Sequence, residues 1–164
     1  LMTNQGNKTR SKAAEVIQKN LKAVGIDVSI RIVEWSAFLK EFVNPRKFDA
    51  VILGWTIPPD PDAFDVWHSS KTGPAELNHV SFKNAEVDAL LEKGRRTFDQ
   101  EERRKAYARF QEILAEEQPY VFLYVPDALP IVSARIRGIV PAPAGISYNF
   151  IKWWVPKGEQ KYTR

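Results

Sequence analysis

The chain has 164 residues, 44% of them hydrophobic and 27% charged, with a formal net charge of +4. That is a globular composition at the length of one domain, which excludes a disordered or fibrous chain. Cysteine is absent, so disulfides, thiolate catalysis and cysteine zinc sites are excluded as well.

The surplus positive charge forms no single-sign block. It alternates with Glu, as in Glu101-Glu102-Arg103-Arg104-Lys105, a pattern that argues against a nucleic-acid partner. No apolar run approaches the ~18 residues of a membrane helix, so the chain is not expected to span one. The start, Leu1-Met2-Thr3-Asn4-Gln5-Gly6, reads as a strand end running into a turn. It lacks the charged and apolar regions of a signal peptide and points to a piece cut from the middle of a longer chain.

Ala13, Ile17, Leu21 and Val24 recur at helical spacing, so a helix is predicted over 11–24, stopped by Gly25. Ile26, Val28, Ile30 and Ile32 alternate with other residues and predict a strand with one face well buried. Ser36 is placed to cap a short helix carrying Phe38, Leu39, Phe42 and Val43, with Asn44-Pro45 ending it. Phe48 to Trp55 is a near-continuous apolar run, suited to a central parallel strand covered on both faces. Helix alternating with strand predicts an α/β layer with a mainly parallel sheet flanked by helices.

A long polar loop follows, from Thr56 to about Lys83, and loops of that length in compact domains are usually functional. Asn84 caps a predicted helix with a stripe of Val87, Leu90 and Leu91. Asp99, with Glu102 in capping-box spacing, starts a second helix with a stripe of Ala106, Phe110, Ile113 and Leu114. Strands are predicted over 120–125 and 130–136. The last stretch, from Val140, carries Tyr148, Phe150, Trp153 and Trp154, too apolar for a solvated linker and too irregular for an amphipathic helix.

Gly54-Trp55-Thr56 stands where the apolar run opens into the longest loop. Ligands of open α/β sheets bind outside the carboxyl ends of strands. Glycine permits close backbone approach there, and tryptophan offers a flat face with a donor at its edge; a plain core role for Trp55 fits equally well. Asp60, Asp62, Asp65 and His68 lie close in sequence and suggest either a divalent metal site or ordinary helix caps. No nucleophile elbow and no phosphate loop is present. A metal-dependent hydrolase or glycosidase built on Asp60, Asp62 and His68 is the alternative to a binding role.

Taken in order, several segments resemble the oligopeptide- and dipeptide-binding family of ABC transporter extracellular solute-binding proteins. They are Thr3-Asn4-Gln5-Gly6-Asn7, Gly25-Ile26-Asp27-Val28, Glu34-Trp35, Phe48-Asp49-Ala50, Gly54-Trp55 and Asp60-Pro61-Asp62. Further along come Asn84-Ala85-Glu86-Val87-Asp88, Glu102-Arg103 before Tyr107, Gln111, Ile113-Leu114, Pro119 and Arg135-Ile136-Arg137-Gly138. No one motif is diagnostic; the collinear set carries the resemblance.

The resemblance implies one lobe of a two-lobed protein that closes on its ligand. Residues 1–139 would be most of the C-terminal lobe, and 140–164 would return to the other lobe. It implies no enzyme activity and no cofactor, and a peptide or similar small solute as ligand. ABC permease subunits would be partners of a monomeric full-length protein. The location would be periplasmic or extracytoplasmic, with a lipid anchor on an upstream segment compatible with it. Gly54, Trp55, Thr56, Ile57, Pro58 and Asp60 would line the cleft, with Trp35 and Asn78 beside them. In such relatives a carboxylate shortly after the tryptophan takes the peptide's α-amino group. Here that position falls near Pro58, with Asp60 the nearest substitute.

Overall fold

The computed structural model describes residues 1–161. The chain divides into two compact units, Leu1–Val121 and Phe122–Arg164, so the boundary expected at 139/140 falls inside the second. Positions 162–164 of the expected tail lie outside the described residues.

In the first unit, strand β1 (Met2–Asn4) pairs in parallel with β2 (Arg31–Val33), in the register Met2–Arg31, Thr3–Ile32 and Asn4–Val33. On the other side of β1, Val51 bridges Met2 in parallel, through Met2 N–H to Ala50 O and Ile52 N–H to Met2 O, both 2.9 Å. β1 is thus the middle strand, and Met2 and Thr3 are buried. Helix α1 (Lys8–Ala23) connects β1 towards β2. The Asn7 side chain caps it by accepting from Arg10 N–H, and Gly25, at φ +85°, follows its last turn as the spacing predicts.

The sheet is smaller than the sequence suggests. The alternating run 26–33 is strand only at Arg31–Val33, and Ile26 and Ile32 are exposed rather than forming a buried face. The run 48–55 contributes one bridge, and the stretches 120–125 and 130–136 form no strand. Alternation reports a preference for extended backbone; a strand also needs a neighbour to pair with. The short helix is different too. Glu34, not Ser36, caps α2 (Trp35–Ala37), accepting the Ala37 N–H at 3.0 Å. The backbone donors of Ser36 and then Ala37 hold its carboxyl below the usual range. From Phe38 to Val43 the helix widens to π geometry. Phe38 and Val43 then pack with Met2, Val51 and Leu53 under the strands.

Helix α3 (Phe64–Trp67) and one 3₁₀ turn (Ser69–Lys71) punctuate the long loop. Helices α4 (Ala85–Arg96) and α5 (Gln100–Glu117) form as predicted, with Asn84 and Asp99 at their N-caps. Their stripes meet Trp67 and Phe82 in the larger core: Val87, Leu91, Phe110, Ile113 and Leu114 are all buried. Gly94 sits where α4 meets Tyr107 of α5, and a methyl group there would stand 2.8 Å from the Tyr107 Cζ. The Asn84 amide also donates to Glu117 at 2.5 Å, joining the start of α4 to the end of α5.

In the second unit, Arg137 and Trp154 form an antiparallel bridge. Gly138, at φ +81°, lies against the Lys152 carbonyl, where a Cβ would approach to 2.5 Å. Asn149 is buried and holds this fold together. Its carbonyl oxygen accepts from the Trp153 indole at 2.8 Å, and its amide donates to Gly138 O at 2.6 Å. The aromatic stretch therefore folds back on 137–140 of its own unit, while Tyr148, Phe150 and Trp154 keep exposed faces. Among the described residues, no helix is long and apolar enough to cross a membrane.

Candidate functional site

The apolar run 48–55 is fully buried only at Ile52. Ile52 is buried and Val51 and Leu53 half-buried, while Gly54 and everything from Thr56 to Pro61 are exposed. Trp55 is 38% exposed, so it is neither core nor free. Its indole stacks on the His79 ring at 5.5 Å between centroids and 12° between planes. It also shares a side-chain hydrogen bond with Tyr120, and since indole N–H is a donor only, the phenol oxygen accepts. Tyr120 in turn lies 4.4 Å from the buried Trp67 ring. Burial raises the Tyr120 pKa, and the bond from Trp55 opposes that rise. The exposed part of Trp55 is thus mounted on two aromatic rings, one of which reaches the larger core.

Gly54 is exposed, with one side chain close to it. A Cβ there would lie 3.1 Å from Arg10 Nη2. That guanidinium reaches across the ends of the strands and donates to Asn4 Oδ1 at 2.8 Å. Thr56, Ile57 and Pro58 are exposed beyond it, with Ile57 79% exposed. Trp35 is exposed at the start of α2 and tilts against Phe38 at 6.1 Å.

Asn78 is a correction. It is wholly buried, and its amide is spent on the loop itself. Oδ1 accepts from Phe82 N–H at 3.0 Å, and Nδ2 donates to Phe82 O at 2.9 Å and faces His68 O at 3.3 Å. It organises the loop rather than lining an opening. Arg46, in a left-handed backbone conformation, extends the same network by donating to Gly73 O and Asn78 O.

Asp60 is committed as well. Both of its oxygens accept from Arg103 Nη2, at 3.0 and 3.1 Å. Asp62 pairs with Arg95 at 2.8 Å, and that guanidinium also covers the Phe64 ring at 4.0 Å. His68 turns elsewhere: its ring stacks on Phe64 at 4.0 Å, Nδ1 meets Ser70 Oγ at 2.8 Å, and Nε2 faces Glu92 at 3.6 Å. The three residues of the hydrolase alternative are each tied to a different partner. Among the described residues no group of three or more His, Asp or Glu is placed to hold a metal.

The Asp62–Arg95 pair gives an acid-pH expectation. Burial pushes the Asp62 carboxyl up, but the Arg95 hydrogen bond and charge, with the Phe64 N–H, outweigh it, and the net pKa lies below 3.8. A lowered folded-state pKa adds stability that is present above the unfolded value and lost as pH falls through the folded one. Asp62→Asn should therefore flatten the stability–pH curve below roughly pH 4, by less than about 1 kcal/mol for a half-exposed pair. Urea unfolding at a series of acid pH values checks it; an unchanged slope would show that the pair carries no such linkage.

Sequence reasoning missed His79 and Tyr120, the two rings that hold Trp55. Each lies far along the chain from it, and no local pattern marks either as its neighbour.

Comparison with known proteins places this arrangement. Residues 1–76 match the model of the bacterial extracellular solute-binding proteins, family 5, middle part. The oligopeptide-binding protein AppA of Bacillus subtilis is 40% identical over 158 residues, which is 96% of this chain and 29% of AppA. The chain is thus similar to the family 5 extracellular solute-binding proteins over residues 1–76 and to AppA over nearly its whole length. The structure of AppA in complex with a nonapeptide superposes on this chain with a TM-score of 0.76 and 41% identity, covering 95% of this chain and 31% of AppA's. A DppA periplasmic binding protein from Helicobacter pylori, in complex with the peptide STSA, follows at a TM-score of 0.70 and 28% identity, over 95% and 30% of the two chains. The small parallel sheet with its helices is thus a part of the periplasmic-binding-protein fold. The chain spans about three tenths of the length of these relatives.

Proposed function

We propose that this chain forms the ligand-contacting part of one lobe of an ABC importer's solute-binding protein, and that the ligand is a peptide or a solute of similar size. The intact protein would act as a monomer outside the cytoplasmic membrane, close its lobes on the ligand and deliver it to permease subunits. The family is one of binders, so the protein is not an enzyme. Trp55 carries the reading. A large flat side chain, partly exposed and anchored from behind, stands where the apolar run leaves the core, the position at which α/β sheets receive ligands. Thr56, Ile57 and Pro58 extend that surface.

The recognised end of the ligand is not an amine held by Asp60. That carboxylate already accepts two bonds from Arg103, and an amine there would compete with the guanidinium for it. Backbone and apolar contacts, rather than a free α-amine, supply the affinity.

In the intact protein Trp55→Ala should weaken binding of an equimolar nonapeptide pool roughly tenfold, as for a central aromatic contact. Stability should fall by a smaller amount, because 38% of the residue is already exposed in the folded chain. Titration calorimetry beside urea unfolding makes the comparison. Matching losses of stability and affinity would make Trp55 a core residue and defeat the reading.

A further inference from the structure

We infer that His79 is a positioning residue for ligand binding: its imidazole backs the Trp55 indole and, together with Tyr120, fixes the face that Trp55 presents. This rests on the binding role proposed for Trp55 and adds to it a residue that contacts no ligand.

The geometry is that of a mount. The two rings are nearly parallel, with 12° between planes at 5.5 Å. His79 is only 6% exposed, whereas Trp55 keeps 38% of its surface open. One face of the indole is occupied by the imidazole, and its N–H edge is held by Tyr120, so rotation about the side-chain bonds is blocked twice. Neither support is itself loose. Tyr120 packs on Trp67 in the core. The His79 backbone N–H donates to Leu77 O at 2.8 Å, and the preceding residue is the buried Asn78, bound by Arg46 and Phe82. A side chain held in its bound rotamer before the ligand arrives loses less entropy on binding.

The histidine itself is out of place as packing. Its Nδ1 is buried and has no hydrogen-bond partner. Burial first, and then the Arg46 charge, lower its pKa, which keeps the ring uncharged at neutral pH. A phenyl ring would supply the same flat face without an orphaned nitrogen. The position therefore needs a planar ring against Trp55, and the stack, not the imidazole's hydrogen bonding, is what binding uses.

The test uses the intact protein with His79→Ala and His79→Phe. Acrylamide quenching is measured for each, and again with Trp55→Phe added, so that the difference reports Trp55 alone. Binding of an equimolar nonapeptide pool is measured by calorimetry. His79→Ala should raise the quenching of Trp55 and weaken binding roughly three- to tenfold, the worth of one aromatic stack. His79→Phe should restore both. If the alanine variant does not fold, His79→Leu, which fills the space without a flat face, should behave as alanine does here. The inference is overturned if Trp55 quenching is the same in the alanine or leucine variant as in wild type, or if these variants lower the melting temperature while binding is unchanged. Should the wild-type protein bind no peptide in the pool, the peptide reading fails, and the quenching comparison alone decides whether His79 holds Trp55.

Discussion

Asn78→Ala is expected to destabilise the fold by about 3 kcal/mol while leaving the affinity of the remaining folded protein unchanged. The Asn78 side chain, wholly buried, satisfies the Phe82 N–H and C=O and faces the His68 carbonyl. Truncation would leave the two Phe82 groups without partners in a dry setting, at about 1–3 kcal/mol for each unsatisfied group. The bond to His68 O, at 3.3 Å, adds less, because it lies beyond the usual N–H···O distance. Partial relaxation keeps the total below the simple sum. Asn78→Asp should cost at least as much, since it loses the donors and buries a charge. Urea unfolding and ligand titration on the same samples check both parts. An Asn78→Ala protein with intact stability and weakened binding would return Asn78 to the ligand surface.

Gly94→Ala should cost about 2 kcal/mol, although it places a better helix former inside α4. Propensity alone favours alanine there by up to about 1 kcal/mol. Against it, the new methyl would stand 2.8 Å from both Cζ and Oη of Tyr107 and 3.1 Å from its Cε2. Tyr107 is buried among core residues and cannot swing away, and overpacking of this kind costs about 1–3 kcal/mol. The α4–α5 spacing is further fixed by Arg103 Nε, which donates to Gly94 O at 3.0 Å. Removing the hydroxyl should not help, because the ring carbon is as close as the oxygen. Gly94→Ala with Tyr107→Phe should therefore stay destabilised, whereas Gly94→Ala with Tyr107→Leu should recover part of the loss. A thermal melt of the three proteins decides it; a single variant that melts above wild type would mean that α4 and α5 can separate freely.

What could be read from the sequence follows the range of the interactions. α4 and α5 were legible because their caps, Asn84 and Asp99, and their apolar stripes act within one or two turns. The sheet was legible in kind but not in extent. Ile26 to Ile32 alternate correctly, yet only Arg31–Val33 finds β1 beside it. The π geometry of Phe38–Val43 left no mark in spacing, because those apolar residues would suit an ordinary helix. At the site, Trp55 stood out as a large aromatic at the end of an apolar run. Asn78 was misplaced because a polar residue in a polar loop gives no sign that the Phe82 and His68 carbonyls will be gathered around it. Asp60 looked available because Arg103, its partner, lies on a helix more than forty positions later.

The way the long loop is tied has a consequence for where such a protein tolerates change. From His68 to Phe82 its path depends on side chains that must meet particular backbone atoms, Asn78 above all, with Arg46 reaching in from outside the loop. An insertion or deletion in that span would carry those atoms out of reach, so a change of its length should be costly to folding. The span 56–59, exposed and lying between Trp55 and the Asp60–Arg103 pair, carries no such obligation. Substitutions at Thr56, Ile57 and Pro58 should therefore cost little in folding, whereas changes in the knot behind them should cost much.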